Sequence, residues 1–417
     1  MNAELISIGD ELLIGQVVNS NASWLGEHLS MAGLHVRRVT VVGDDLDGIV
    51  AAYRRAWEEN DIVVSTGGLG PTHDDRTREA LLAFFETSLI VNGDVLADIK
   101  RFLHDRGRTV SERNRDQAMV PASARVIRNY HGTAPGYHFT EGEKHLFVLP
   151  GVPYEMKAMV EQDILPFLAS LQAKRRAVRT ILTTGIPEST LADVLAGIDT
   201  LRSDTSVAFL PSPLGVRIRL TCVAESDTDA TTAVDELETM VRDRAGEWIF
   251  GTDNETLEAH LGTILVRDSK TLSVAESCTG GLITDRVTNI PGSSRWFDRG
   301  AVVYSNQSKT DMLGVDPHVI ERFGAVSREV CLAMAAGIRR LANSDYGLST
   351  TGIAGPDGGT AEKPVGLVWI GLSTPDGSFA HAFRFGNDRL RTKQRAAQSA
   401  LDTLRRHLLS LPPVSSL

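Results

Sequence analysis

Short apolar runs that end in glycine or an acid, each followed by an amphipathic stretch, recur through the first 170 residues and again after residue 254. That alternation limits the fold more than any other feature. ELISIGD, HVRRVTVVGDD and DIVVSTGG read as strands, and Asn19 to Leu34 and Asp45 to Glu59 read as helices. Such a strand–helix rhythm builds a parallel sheet with helices on both faces. Ligands of such sheets bind at the carboxyl ends of the strands. Gly9-Asp10-Glu11, Gly43-Asp44-Asp45 and Ser65 to Thr77 fall there.

The second half repeats the rhythm in KTLSVAES (strand), GLITDRVTNI (helix), FDRGAVVYS (strand) and NQSKTDMLG (helix). A hairpin, VGLVWIGLSTPDGSFAHAFRFG, and a closing amphipathic helix from Asp388 to Leu411 complete it. Between the halves, residues 175–251 combine a strand, a hairpin with a proline–glycine turn, two helices and a last strand. The expected division is therefore 1–170, 175–251 and 254–412, with the middle module a small α+β connecting or dimerising domain. A chain of 417 residues is long enough for two or three such domains.

Composition narrows the function. Net charge is −10, which argues against a general nucleic-acid binder but leaves room for small anionic ligands. The three cysteines, Cys222, Cys278 and Cys331, are far apart and form no CxxC, so they suggest a reducing compartment and no zinc site. Cys278 lies in a glycine-rich motif without a nearby histidine and reads as a packing residue. No basic n-region with an apolar run opens the chain, and no apolar run reaches membrane length, so a cytoplasmic protein without a membrane partner is expected.

Two clusters carry chemistry. STGGLGPTHDDRT places glycines after a strand, where bare backbone can approach a phosphate, and Asp74 and Asp75 next to them. Carboxylates beside a phosphate nest imply a divalent cation between the two, and a turn capped by an aspartate is the alternative. The second cluster, Ser273 to Lys309, gathers Ser277, Ser294, Tyr304 and Lys309, the residue types of a nucleophile and its base. Pro291-Gly292-Ser293-Ser294 reads as a helix entry whose N–H groups could bind an oxyanion, or as a plain N-cap. Lys309 sits near a helix start, where the helix dipole and burial would both lower its pKa.

SVAESCTGG, PGSSRWFDRGAVVYSNQSK, GAVS and STTGIAGPDGG, with STGGLGPTHDDRT, NYHGTAPG and LPGVPYEM, resemble the CinA family over nearly the whole chain. The resemblance implies an α/β protein with an N-terminal MoaB/MogA-like parallel-sheet domain and a C-terminal CinA-type deamidase domain. It implies a nicotinamide mononucleotide deamidase in the second and a metal-dependent ADP-ribose pyrophosphatase in the first. For the deamidase it implies Ser294 as nucleophile, Lys309 as general base and Tyr304 as a helper, with Ser277 in the same pocket. It places Thr279, Gly280 and Gly281 near the phosphate end, Thr351, Gly352 and Ala354 along the wall, and Arg389 facing the phosphate. In the first domain it implies Asp44 and Asp75 at the metal, with Gly67, Gly68 and Gly70 shaping the nest. The metal would be Mg, Co or similar, with K+ a further candidate, and the deamidase would need no cofactor. The partners would be small nucleotides and a second copy in a homodimer. The alternative for the first domain is a non-catalytic nucleotide- or pterin-binding regulatory module.

Overall fold

The computed structural model describes residues 1–70, 72, 75–171, 174–198 and 204–413. The chain divides into two compact units, Met1–Arg176 and Ala177–Leu417.

The first unit is built on a six-stranded sheet. Its strands are β1 (Asn2–Ile8), β2 (His35–Val42), β3 (Ile62–Thr66), β6 (Arg125–Ile127), β7 (Gly136–Glu141) and β8 (Lys144–Leu149). Two short strands, β4 (Leu89–Val91) and β5 (Met119–Pro121), pair separately. The sheet order is β2-β1-β3-β8-β7-β6. β2, β1, β3 and β8 run parallel, and β7 and β6 add an antiparallel edge. Strand alternation splits the apolar residues between two cores. Ile62 and Val64 face one together with Leu5 and Phe147, and Val63 faces the other with Ile6, Tyr53 and Phe139. Each such residue, fully buried, contributes about 1.5–3 kcal/mol. Helices on both faces are what residues this apolar on alternate sides require.

The second unit holds two sheets. β9 (Arg175–Thr183), β10 (Thr205–Ser212), β11 (Gly215–Ala224) and β12 (Ile249–Thr252) form one, in the order β10-β11-β9-β12. Helices Glu188–Val194 and Asp227–Ala245 accompany it. The other comprises β13 (Leu272–Glu276), β14 (Phe297–Val302), β15 (Tyr346–Gly352), β16 (Leu367–Thr374) and β17 (Gly377–Arg384), in the order β14-β13-β15-β16-β17. β14, β13 and β15 are parallel, whereas β16 and β17 form the expected antiparallel hairpin.

Reading the sequence in three blocks leaves out how tightly the last two are joined. The closing helix, Arg389–Leu408, carries Arg405, fully buried, which donates to Ile249 O at 3.2 Å and Glu247 O at 2.8 Å. Asp402 holds Arg405 at 2.7 Å and Arg406 at 3.1 Å, and Gln398 donates to Thr184 Oγ1 at 3.1 Å. Buried charges kept in pairs with carbonyl partners are costly to separate, which fixes the middle module to the C-terminal domain.

Candidate active sites

β13, β14 and β15 all point their carboxyl ends the same way, so the residues that follow them meet. Ser277 follows β13, Val303 and Tyr304 follow β14, and Thr351 and Gly352 end β15. Ser277, Cys278, Tyr304, Lys309, Thr351, Gly352, Ala354 and Arg389 line one cavity of about 270 Å³. Ligand cavities of roughly 300 Å³ and above are typical of small-molecule sites, so this one is at the compact end.

Lys309 is its chemical centre. It lies in helix Asn306–Leu313, and its side chain turns back toward the helix start and is buried. Its Nζ donates to Ser277 Oγ at 3.2 Å and to the carbonyls of Val303 (2.9 Å), Tyr304 (3.2 Å) and Ser305 (3.3 Å). Burial lowers its pKa, opposed by the nearby Cys278. A neutral amine can donate two hydrogens to carbonyls and still offer its lone pair to the Ser277 hydroxyl. Cys278, adjacent to Ser277, is a buried thiol that desolvation pushes up to about 12, so it is not a thiolate at neutral pH.

Ser277 is held by the turn around it. Its N–H donates to Thr350 O at 3.0 Å. Glu276, fully buried, accepts from the N–H groups of Gly281 (3.0 Å), Ile283 (3.1 Å) and Thr284 (2.8 Å), and from Thr284 Oγ1 at 2.7 Å. It thereby satisfies the open N–H groups where helix Leu282–Thr288 begins. Gly280 and Gly281, at φ +62° and +95°, let the chain turn inside this cage.

Ser294 is placed elsewhere. It is exposed, in a single 3₁₀ turn, Ser293–Arg295, that precedes β14. The Trp296 carbonyl beside it accepts from Leu272 N, the first residue of β13, at 2.7 Å. The six residues of β14, at about 3.3 Å each, separate that end of the sheet from the cavity. Within the chain, the expected Ser294–Lys309 pair and an oxyanion site at Pro291–Ser294 are therefore not formed; strand direction puts Ser277 beside Lys309 instead. The hydroxyl of Thr279 is buried and lies 2.7 Å from Thr350 Oγ1. Thr351 lines the wall with its hydroxyl donating to Ala325 O at 2.8 Å. Arg389 lines the mouth but donates to Gly355 O at 2.8 Å and to Tyr304 Oη at 2.9 Å.

In the first unit, the ends of β1, β3 and β8 surround a cavity of about 420 Å³. Gly67, Gly68, Gly70, Asp44, Asp75, Glu11 and Glu155 line it. A Cβ on Gly67 would lie 2.1 Å from Ile8 O, and its φ is +105°, so only glycine allows this turn. Asp44 and Asp10 are cross-linked: Asp10 N donates to Asp44 Oδ2 at 3.0 Å, and Asp44 N donates to Asp10 Oδ1 at 3.2 Å. Asp75 Oδ2 accepts from Thr72 N at 2.8 Å and does not cap the helix that starts at Thr77. Glu155 is buried and accepts from Asn129 Nδ2 at 2.6 Å, tying the NYHGTAPG turn to the cavity. Asp74 lies outside the described residues. Among the described residues no group of three or more His, Cys, Asp and Glu side chains forms a metal cage. Two carboxylates on a phosphate-sized glycine turn still fit a hard cation whose remaining ligands are phosphate oxygens and water.

Known proteins similar to this chain extend over its whole length. A CinA-like protein of Kosmotoga olearia is 39% identical over 411 residues, covering 99% of this chain and 100% of that protein. One from Desulfosudis oleivorans is 42% identical over 421 residues, covering 98% and 100%. The chain belongs to the CinA-like family. Residues 4–170 match the probable molybdopterin binding domain, 178–251 the damage-inducible protein CinA KH domain, and 254–408 the CinA C-terminal domain. The crystal structure of a competence/damage inducible protein from Agrobacterium tumefaciens is 41% identical, covering 37% of this chain and 93% of that chain, with a TM-score of 0.36. The architecture is that of the family: a MoaB-like parallel-sheet domain, a KH-type middle module and a CinA domain. Among the described residues no helix is long and apolar enough to cross a membrane. Glu276 is the CinA-domain residue that sequence reasoning missed. Its signal was an acid at the very end of an apolar strand, immediately before the small-residue turn that it holds.

Proposed function

We propose that the C-terminal domain hydrolyses the carboxamide of nicotinamide mononucleotide to nicotinate mononucleotide and ammonia, with Ser277 as nucleophile and Lys309 as base. The observation that carries this reading is the buried 3.2 Å contact between Lys309 Nζ and Ser277 Oγ. An amide is a poor electrophile and a serine hydroxyl a weak nucleophile, so the proton must leave as the bond forms. Neutral Lys309 takes the Ser277 proton while Oγ bonds to the amide carbon. The resulting ammonium returns that proton to the departing nitrogen as the C–N bond breaks, releasing ammonia and leaving an ester on Ser277. Water then attacks the ester carbon as Lys309 accepts one of its protons; the C–Oγ bond breaks, Lys309 returns that proton to Oγ, and the acid formed ionises and leaves as the carboxylate. Tyr304 Oη accepts from Arg389 and so keeps its own O–H free to donate to the oxyanion or to the leaving nitrogen. Purified protein should release ammonia from nicotinamide mononucleotide; release no faster than in buffer contradicts the proposal.

For the N-terminal domain the proposed reaction is hydrolysis of ADP-ribose to AMP and ribose 5-phosphate. Asp44 and Asp75 would hold a divalent ion, which would neutralise phosphate charge, while the Gly67–Gly70 turn receives the phosphates. AMP should form with Mg2+ and ADP-ribose, and Asp75→Ala should stop it. The alternative reading of this domain is a binding module without turnover. Saturable ADP-ribose binding with no AMP formed would support that one. A homodimer, testable by sedimentation, and a cytoplasmic location belong to the same proposal.

A further inference from the structure

Two cavities of the first unit meet at the turn after β3. One is the cavity of about 420 Å³ that Asp44 and Asp75 line. The other, of about 320 Å³, is lined by Thr72, Arg78, Glu79, Arg113, Asp116 and Tyr137. Gly68, Gly70, Asp75 and Gln117 border both, so the two adjoin along one rim. The first is lined by carboxylates and suits a hard cation with phosphate. In the second, the two arginines and the two acids cancel, which suits an uncharged sugar or base.

Gln117, on that rim, is buried at 4% exposure, yet half of its amide is unspent. A chain of hydrogen bonds fixes which half. Asn114 Oδ1 accepts from Ser111 N at 3.1 Å and from Ser111 Oγ at 2.7 Å. Asn114 Nδ2 is therefore the donor to Gln117 Oε1, at 3.2 Å. That leaves Gln117 Nε2, with both its hydrogens, as the group offered to the cavities. Among the described residues it has no protein acceptor. A buried donor is costly to leave unpaired, so this one calls for an acceptor from outside the chain.

We propose that Gln117 Nε2 donates to the diphosphate of a two-part nucleotide that crosses from one cavity to the other over Gly70 and Asp75. The inference rests on the nucleotide reading of this domain, with or without turnover. It adds a second compartment and the residue that recognises the crossing. A diphosphate ester with a sugar or base on each side needs two compartments and donors where they join. A hydrogen bond to a phosphate oxygen is charge-assisted and among the stronger ones. Asn114 is a positioning residue: it keeps the donating end of the Gln117 amide toward the ligand.

The probe is the α,β-methylene analogue of ADP-ribose, whose P–C–P bridge resists hydrolysis. It is titrated calorimetrically with Mg2+ into the full-length protein at pH 8.5. Gln117→Leu should weaken binding by about tenfold or more. Gln117→Glu keeps the size of the side chain and an acceptor for Asn114, but turns an ionised oxygen toward the phosphates. It should weaken binding by about fiftyfold or more. A residue with only a packing role would rank the two the other way, since glutamate fills the glutamine's space and leucine does not. Circular dichroism should match wild type in both variants. A loss of less than about threefold in Gln117→Leu, or tighter binding by Gln117→Glu than by Gln117→Leu, overturns the role of Gln117 and leaves the nucleotide reading intact. Wild type that does not bind the analogue overturns the nucleotide reading, and the proposal with it.

Discussion

Lys309 Nζ and Ser277 Oγ lie 3.2 Å apart, and both side chains are buried at the carboxyl ends of two adjacent parallel strands. Thirty-two residues separate them in the chain. Only the shared direction of β13 and β14 brings them together, and the chemistry proposed for the CinA domain depends on it.

A base that works as the neutral amine fixes the pH profile. Burial holds the Lys309 pKa below the ordinary lysine value of about 10.4. The folded protein therefore loses this proton at lower pH than the unfolded chain does. Deamidation should rise about tenfold per pH unit on its acid side and level off before that value is reached. Initial rates of ammonia release across pH check this, and a rate that keeps rising through pH 10.4 contradicts it. Lys309→Arg, charged at every accessible pH, should be inactive with its fold intact by circular dichroism.

Glu276 holds the nucleophile's turn through three backbone N–H groups and one hydroxyl. Glu276→Gln replaces one accepting oxygen with a donor that faces donors. A loss of roughly 2–4 kcal/mol in urea unfolding is expected, with lowered kcat as Ser277 drifts. Wild-type stability in this variant would show that the turn holds itself.

His138 and His145 are buried on neighbouring strands of the first unit, with Nε2 of one 3.1 Å from Nδ1 of the other. Desolvation, Arg125 and His145 lower His138 to about 4, and desolvation lowers His145. His138 stays neutral in the fold down to about pH 4, so between that pH and the unfolded histidine value of about 6.5 the unfolded chain binds more protons. Stability is complete above the unfolded value and is lost as pH falls toward 4, by about 3 kcal/mol for His138. Hydrogen exchange of β7 and β8 amides at pH 7 and pH 4.5 measures the loss. His138→Phe should flatten the dependence; an unchanged dependence contradicts the assignment.

Much of this architecture is legible in the chain. The apolar runs of β1, β3, β13 and β14 end at the glycines and acids that line the cavities, because buried strands and ligand turns need different residues. The Ser294–Lys309 pairing that the resemblance implies is not formed within the chain, for a geometric reason. Ser277 and Ser294 both flank β13 and β14, both stand among small residues, and both match a nucleophile by type. Which end of a parallel sheet a residue occupies is a property of the pairing, and Ser294 precedes β14 whereas the pocket follows it. The resemblance places Arg389 at the phosphate; its hydrogen-bond partners, Gly355 O and Tyr304 Oη, are protein atoms 34 and 85 residues away, which no local pattern reveals.

The comparison that bears most directly on the account is between two serine variants. Ser277→Ala and Ser294→Ala, each in the full-length protein, are assayed for ammonia release from nicotinamide mononucleotide alongside wild type. The account predicts that Ser277→Ala loses at least about a thousandfold in kcat, as removal of a nucleophile does, while Ser294→Ala stays within about threefold of wild type. The reverse, with Ser294→Ala inactive and Ser277→Ala active, would contradict it.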